Sequence, residues 1–362
     1  MDNETQSEQY IAAIEHPVEF RGNAKEYFGI WIVNVLLSVA TLGIYGAWAK
    51  VRDKKYFYGN TFIDNQSFSY HATGKQIFIG RLIVLGVILF LTAVSAVAPI
   101  LYIILLLVLV GFVPWLICRA IKFNARVSSY RNVRFNFDGG YGGAITAYFL
   151  LPIASVFTLY FLSPVVSREQ HSFAVNGHEY GNRRFKFNAD TGPYFKAYFS
   201  ALGLGLLIYI IAGAAIAFFP GALQGLSVAM QTNNVSPGMA VGLLVAYVAF
   251  IIVYATPFIF YMARMRNLSY NNTTLDDKHR FLSEISAWEY IKIVITNAMV
   301  VVLTIGLMSP WARVRLAKYI ASRTTIFAGG PLDVYSGEVG EEVGVVAGEY
   351  ADFEGLDIGI TI

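Results

Sequence analysis

Seven runs of about twenty mostly apolar residues punctuate the chain, at about 28–48, 77–98, 99–118, 144–166, 198–219, 239–263 and 290–311. About 20 such residues suffice to carry a helix across the hydrocarbon core. Each run therefore predicts a membrane-embedded helix. Ionisable groups are nearly absent from their interiors; Arg81 and Lys292 stand within a turn or so of a run's end, where they can snorkel to headgroups. No Asp or Glu lies in mid-run, which argues against ion-coupled transport but leaves a passive pore open. The first 27 residues are polar and acidic and lack the basic segment and cleavage site of a removable signal peptide, so the first run is expected to direct insertion.

The first and last runs look like copies. Placing Ile32–Arg52 on Ile295–Arg315 without a gap superimposes Asn34 on Asn297, Thr41 on Thr304, Gly43 on Gly306, Trp48 on Trp311 and Arg52 on Arg315. A weaker exit signal, Pro (or Ala) with a following Arg, recurs at Ala47 and Arg52, Pro114 and Arg119, Pro164 and Arg168, Pro257 and Arg264, and Pro310 and Arg315. Ser163-Pro164 and Ser309-Pro310 have the form of an N-cap followed by first-turn proline. A second, basic helix is thus expected at the membrane boundary, with Trp and Tyr at headgroup depth. After it come polar stretches of period two: Phe62–Tyr70, Val133–Phe137, Phe173–Val175 with Phe185–Phe187, and Thr324–Phe327. These read as short strands and hairpins outside the bilayer. No strand is expected in the degenerate fourth copy, near Asn271-Asn272-Thr273.

The fold class expected is an all-α polytopic membrane protein of about seven hydrophobic helices, some re-entrant, with short β-hairpins in membrane-proximal loops. About five helix–basic helix–β modules would fill residues 28–323, between a polar N-terminal segment (1–27) and an acidic, Gly-rich tail (324–362). Composition agrees: 56% of residues are apolar, 14% are charged, and mean hydropathy is +0.52. Such a chain excludes intrinsic disorder and an ordinary soluble enzyme. A net charge of +3 gives no case for nucleic acid, and the single Cys118 forbids an internal disulfide. Two rules conflict over orientation. Every β-bearing loop is basic, so the positive-inside rule puts all of them in the cytoplasm; seven full crossings would put some outside.

Phe20-Arg-Gly22, Tyr27-Phe28, Asn34-Val-Leu-Leu, Thr41-Leu-Gly-Ile-Tyr45, Trp48-Ala49 and Tyr56-Phe-Tyr58 with Asn60 make up a distinctive block, completed by Ser69-Tyr70 and Gly74 and echoed at Val133–Phe137. On these residues the chain resembles the bacterial inner-membrane YjgN family, a domain of unknown function. The resemblance implies a multi-pass protein of the bacterial inner (plasma) membrane and brings no catalytic residue.

No catalytic residue, metal site or cofactor is expected from the residues themselves. His171 and His178, the nearest histidine pair, lack the converging ligands a metal needs, and no phosphate-binding loop, nucleophile elbow or H-E-x-x-H occurs. The candidate polar positions inside the membrane are Asn34, Asn297, Thr41 and Thr304, readable as helix–helix hydrogen bonds or as the lining of a solute path. Candidate contacts to phospholipid headgroups are Trp48, Arg52, Lys54, Lys55, Trp115, Arg119, Trp311, Arg313, Arg315 and Lys318. Two functions stay open. One is a passive transporter or channel for an unidentified solute. The other is a non-catalytic scaffold that binds lipid headgroups or partner proteins.

Overall fold

A computed structural model describes residues 14–218 and 237–344. Its strands are β1 (Ile14–Pro17), β2 (Glu19–Phe20), β3 (Thr61–Ile63), β4 (Gln66–Tyr70), β5 (Ser128–Tyr130), β6 (Val133–Phe137), β7 (His178–Tyr180), β8 (Arg183–Phe187), β9 (Thr273–Leu275), β10 (His279–Ser283) and β11 (Thr324–Ala328). All belong to one antiparallel sheet, ordered by sequence from β2 and β3 round to β11 and β1. The two edges, β1 and β2, are separated only by Val18, whose N–H donates to the Thr324 carbonyl at 2.9 Å. One N-terminal stretch thus pairs with β11 through residues 14–17 and with β3 through residues 19–20. The sheet curls into a nearly closed barrel and leaves no long free edge to template aggregation.

This barrel corrects the all-α expectation. Each strand has five residues or fewer, too short to signal a sheet, and its partners come from distant parts of the chain. The turns are nevertheless well encoded. Asp64 and Asn65, Arg131 and Asn132, and Asp276 and Asp277 all have positive φ, the geometry whose twist suits a tight hairpin. Residues 273–275 and 279–283 are strands, against the expectation for the fourth copy, while Phe173–Val175 lies inside a helix.

Aromatic residues fill the bore. Across neighbouring hairpins Phe68 faces Tyr130, Phe135 faces Tyr180, Phe185 faces Leu275 and Phe281 faces Ile326. The four phenylalanines follow one another round the wall with ring centroids 6.4, 6.4 and 5.8 Å apart. All four are half-buried, so each stabilises by less than the about 1.5–3 kcal/mol of a fully buried phenylalanine. Tyr130 donates its hydroxyl to the Ile63 carbonyl at 2.8 Å, and Tyr180 donates to the Tyr130 carbonyl at 3.1 Å. Wall and filling are therefore tied together.

Among the described residues ten helices extend from one end of this barrel: α1 (Ala24–Ala40), α2 (Gly46–Gly59), α3 (Gly74–Val97), α4 (Pro99–Arg126), α5 (Tyr141–Phe157, with a π-turn at Thr146–Leu150), α6 (Ser163–Gly177), α7 (Thr191–Phe218), α8 (Pro237–Asn271), α9 (Ala287–Leu303) and α10 (Ser309–Ser322). They come in successive pairs, and each pair leaves the sheet and returns to it. The return is stitched the same way five times. The first strand residue after the second helix of each pair bonds back to the carbonyl four residues earlier: Thr61 to Phe57, Ser128 to Asn124, His178 to Ala174, Thr273 to Ser269 and Thr324 to Ile320. Neighbouring pairs also touch, and α10 packs on α1, so the helices form a ring as the strands do.

The expectation of about seven spans is also corrected. Among the described residues, three helices are long and apolar enough to cross a membrane: Gly74–Val97, Pro99–Arg126 and the Thr191–Ala214 part of α7. The runs at 28–48, 144–166 and 290–311 turn back on themselves, because the chain reverses at Leu42-Gly43, Leu159-Tyr160 and Ile305-Gly306. Residues 219–236 and the last part of the acidic tail, 345–362, lie outside the described residues.

After β11, helix α11 (Leu332–Gly344) covers the turn end of the barrel. Leu332, Tyr335, Ser336 and Val339 form its buried stripe, and Asp333 pairs with Arg131. Beneath it His279 is 2% exposed, touches the Tyr335 ring at 4.3 Å and has no hydrogen-bond partner on either nitrogen. Burial holds its pKa below the ordinary value, aided by Lys278 and His16 and opposed by Asp276. A depressed histidine is neutral in both states at high pH. As pH falls below about 6.5 the released state takes up a proton that the docked state refuses, so docking weakens. Hydrogen exchange across residues 332–339, corrected for intrinsic rates, should quicken between about pH 7.5 and about pH 5.5. In His279→Phe that acceleration should shrink; an unchanged acceleration would assign it to other groups.

Candidate membrane interface

Three short helical hairpins, α1–α2, α5–α6 and α9–α10, share one apex. In each, a threonine ends the first helix: its hydroxyl donates back to a carbonyl of that helix and accepts the N–H four residues on. Thr41 joins Leu37 and Tyr45, Thr158 joins Ala154 and Leu162, and Thr304 joins Val300 and Met308. Two residues of positive φ follow. At the second of them, Gly43 (φ +89°) and Gly306 (φ +87°) occupy a conformation costly to any residue with a Cβ. The apices are apolar and point away from the protein: Leu42 is 94%, Leu159 88% and Ile305 94% exposed. Side chains so placed belong in a lipid environment.

Below the apex Asn34 and Asn297 hold the two arms together. Asn34, 4% exposed, donates to the Ala49 carbonyl at 3.4 Å and to Asp53 Oδ1 at 3.1 Å, and accepts from Arg52 at 3.3 Å. Asn297 donates to the Ala312 carbonyl at 2.9 Å and accepts from Arg315 at 3.0 Å. Each amide works inside its own hairpin. An open groove of about 510 Å³ runs beside Asn34 and Asp53, and Asn297 is not in its lining. The α5–α6 hairpin uses Ser155 and Ser163, whose hydroxyls are 3.3 Å apart.

The basic residues divide into two groups. Arg315 stacks on Trp311 at 5.1 Å and Arg119 on Trp115 at 5.4 Å, a turn apart on their helices. Trp48 instead packs on Phe78 and Tyr45, and Arg52 also reaches the Tyr45 hydroxyl at 3.2 Å. Lys54 turns inward to Asn124 (3.0 Å) and the Tyr70 ring. Arg313 bridges to the Tyr27 hydroxyl on α1 and, at 3.0 Å, to Asp53 on α2. Arg52, Lys55, Arg313 and Lys318 are the exposed cations of the set on these return helices, and of the four Arg52 and Arg313 also bond within the protein.

Residues 15–353 match the model of a family described as "Bacterial protein of unknown function (DUF898)". The chain belongs to that family. "Inner membrane protein YjgN" of Salmonella typhimurium is 25% identical over 357 residues, covering 86% of this chain and 88% of the relative. The protein of the same name from Escherichia coli K12 is 35% identical over 152 residues, 41% of this chain and 38% of the relative. No solved structure matches. These relatives and the apolar helices establish an inner-membrane protein in contact with the lipid bilayer.

Several members of this interface escape a reading of the sequence. Asp53 is the acid among the basic residues of α2, and the aligned position of α10 is Leu316. It closes the helix ring through Arg313, which comes from the other end of the chain. Thr158 escapes because its apex has Tyr160 where the other two have glycine. In detergent, Asp53→Asn and Arg313→Gln should each lower thermal stability, and a double-mutant cycle should give a coupling of about 0.5–3 kcal/mol. Strict additivity of the two losses would mean that the ring closes without this pair. Asn297→Ala should cost on the order of 1 kcal/mol, measured the same way, since it strands the Ala312 carbonyl and Arg315.

Proposed function

We propose that the protein is a non-catalytic, multi-pass inner-membrane scaffold: a ring of five helical hairpins that presents a β-barrel on the cytoplasmic side. The observation that carries this reading is the single sheet. A hairpin of helices that starts and ends in one sheet must return to the side it left, whatever its length. All five β-bearing loops then share one side, and their lysines and arginines make it the cytoplasm. The conflict between charge and crossing number disappears, since α3–α4 and α7–α8 cross and return while the three short hairpins dip in.

In the same reading the chain is five divergent copies of one helix–basic helix–hairpin module. The fifth hairpin is assembled from the two ends of the chain. Recurrent hydrogen bonds support this: five stitches of the same spacing at the strand starts, four from hydroxyls and one from the His178 ring, and three threonine-capped apices.

A passive solute path is the weaker reading. Its candidate lining, Asn34 and Asn297, is engaged within separate hairpins, the bore holds stacked phenylalanines, and α11 covers the far mouth. The candidate spans bury few of their side chains against the protein, as suits helices that face lipid rather than a lined conduit.

Topology is directly measurable. In a Cys118→Ser background, Asn65→Cys, Asn132→Cys, Asn182→Cys and Lys278→Cys each place one thiol at an exposed hairpin turn. None should react with an impermeant thiol reagent in intact spheroplasts, and all should react after permeabilisation. Reaction of Asn182→Cys and Lys278→Cys from outside, with the other two protected, would overturn the one-sided barrel.

A further inference from the structure

The three short hairpins end in the membrane, and their depth can be read from the chain. On α1 about 13 residues separate Phe28 from the end of the helix, and on α9 about 11 follow Lys292, which is about 16–20 Å of helix at 1.5 Å per residue. The return arms are shorter still: Lys50 and Arg52 follow Gly43 by seven and nine residues, and Arg313 follows Gly306 by seven. Charged residues on the return arm therefore stop each hairpin about 10–15 Å below its apex. A hydrocarbon core is about 30 Å thick, so the apices reach its middle. The paired helices α3 and α4, of 24 and 28 residues, are about 36 and 42 Å long and pass through.

We infer that the protein is a wedge whose partner is a single lipid leaflet, the one on the barrel side. This inference rests on the one-sided barrel. Among the described residues ten helices occupy that leaflet, and the continuing ones are α3, α4 and α7, with the 35-residue α8 as the partner of α7. Six extra helix sections of about 10 Å diameter displace on the order of 500 Å² more in the near leaflet than in the far one. Apices exposed to 94%, 88% and 94% and bearing Leu42, Leu159 and Ile305 suit acyl chains and not a second aqueous surface. A body wider in one leaflet favours membrane that bulges toward its wide side.

The full chain, reconstituted into phosphatidylethanolamine–phosphatidylglycerol vesicles, tests this. In the Cys118→Ser background, Asn132→Cys reports the barrel's side through an impermeant thiol reagent. The ratio of barrel-out to barrel-in molecules should be at least about threefold higher in small sonicated vesicles than in large extruded ones, because the outer leaflet of a small vesicle has more room for the wide end. Equal ratios would overturn the wedge. Depth is read separately: fluorophores on Leu42→Cys, Leu159→Cys and Ile305→Cys should be quenched most by lipids spin-labelled near the acyl-chain end. If these thiols instead react with impermeant reagent from the side opposite the barrel, the short hairpins cross and the wedge fails. The one-sided barrel survives that outcome. It fails on its own if hairpin-turn thiols divide between the two sides.

Discussion

The whole architecture depends on one stretch of backbone, residues 14–20, that hydrogen-bonds to the last strand with one end and to the first hairpin with the other. Without it, the other nine short strands would form an open strip with two exposed edges. With it, the first and last helical hairpins are forced side by side, and Arg313 comes within reach of Tyr27 and Asp53. Closure in the sheet and closure in the helix ring are one constraint, met at two heights.

Membrane behaviour follows from that constraint rather than from hydropathy. A chain required to return to the same sheet after every excursion can enter the bilayer only as hairpins. The threonine-capped, positive-φ apex supplies the reversal, and asparagine or serine between the arms satisfies polar groups where water is scarce. Polar residues in the apolar runs are thus accounted for by geometry. At the other end of the barrel the accounting is incomplete: His279, one nitrogen of His16 and the Tyr335 hydroxyl are buried without partners beneath α11. Unsatisfied groups of this kind cost about 1–3 kcal/mol each and weaken the docking of α11.

Much of this was legible in the residues. Hydrophobic runs mark the three helices long enough to cross, Asn34 and Asn297 each tie the arms of one hairpin, and Asp64-Asn65 marks a tight turn. The sheet was not legible, because three- to five-residue strands carry almost no signal and their partners lie in other loops. Nor were the apices, since Leu42 and Ile305 read as continuing an apolar helix and only Gly43 and Gly306 hint at a break. Arg313 and Arg315 read as lipid contacts by composition, yet their bonds run to Tyr27, Asp53, Thr296 and Asn297; only the third dimension reveals partners 286 and 260 residues away.

Closure by the N-terminal stretch is best tested through the two pairings that define it. Glu15 faces Phe327 and Glu19 faces Phe62, and antiparallel partners stand about 4.5–5.5 Å apart at Cα, within disulfide range. In a Cys118→Ser background, Glu15→Cys with Phe327→Cys and Glu19→Cys with Phe62→Cys would be oxidised mildly in membranes and read by intact mass after alkylation. A closed barrel requires both pairs to form an intramolecular disulfide in high yield, while the mismatched pair Glu15→Cys with Phe62→Cys does not. Formation of only one pair, or of the mismatched pair equally well, would contradict closure.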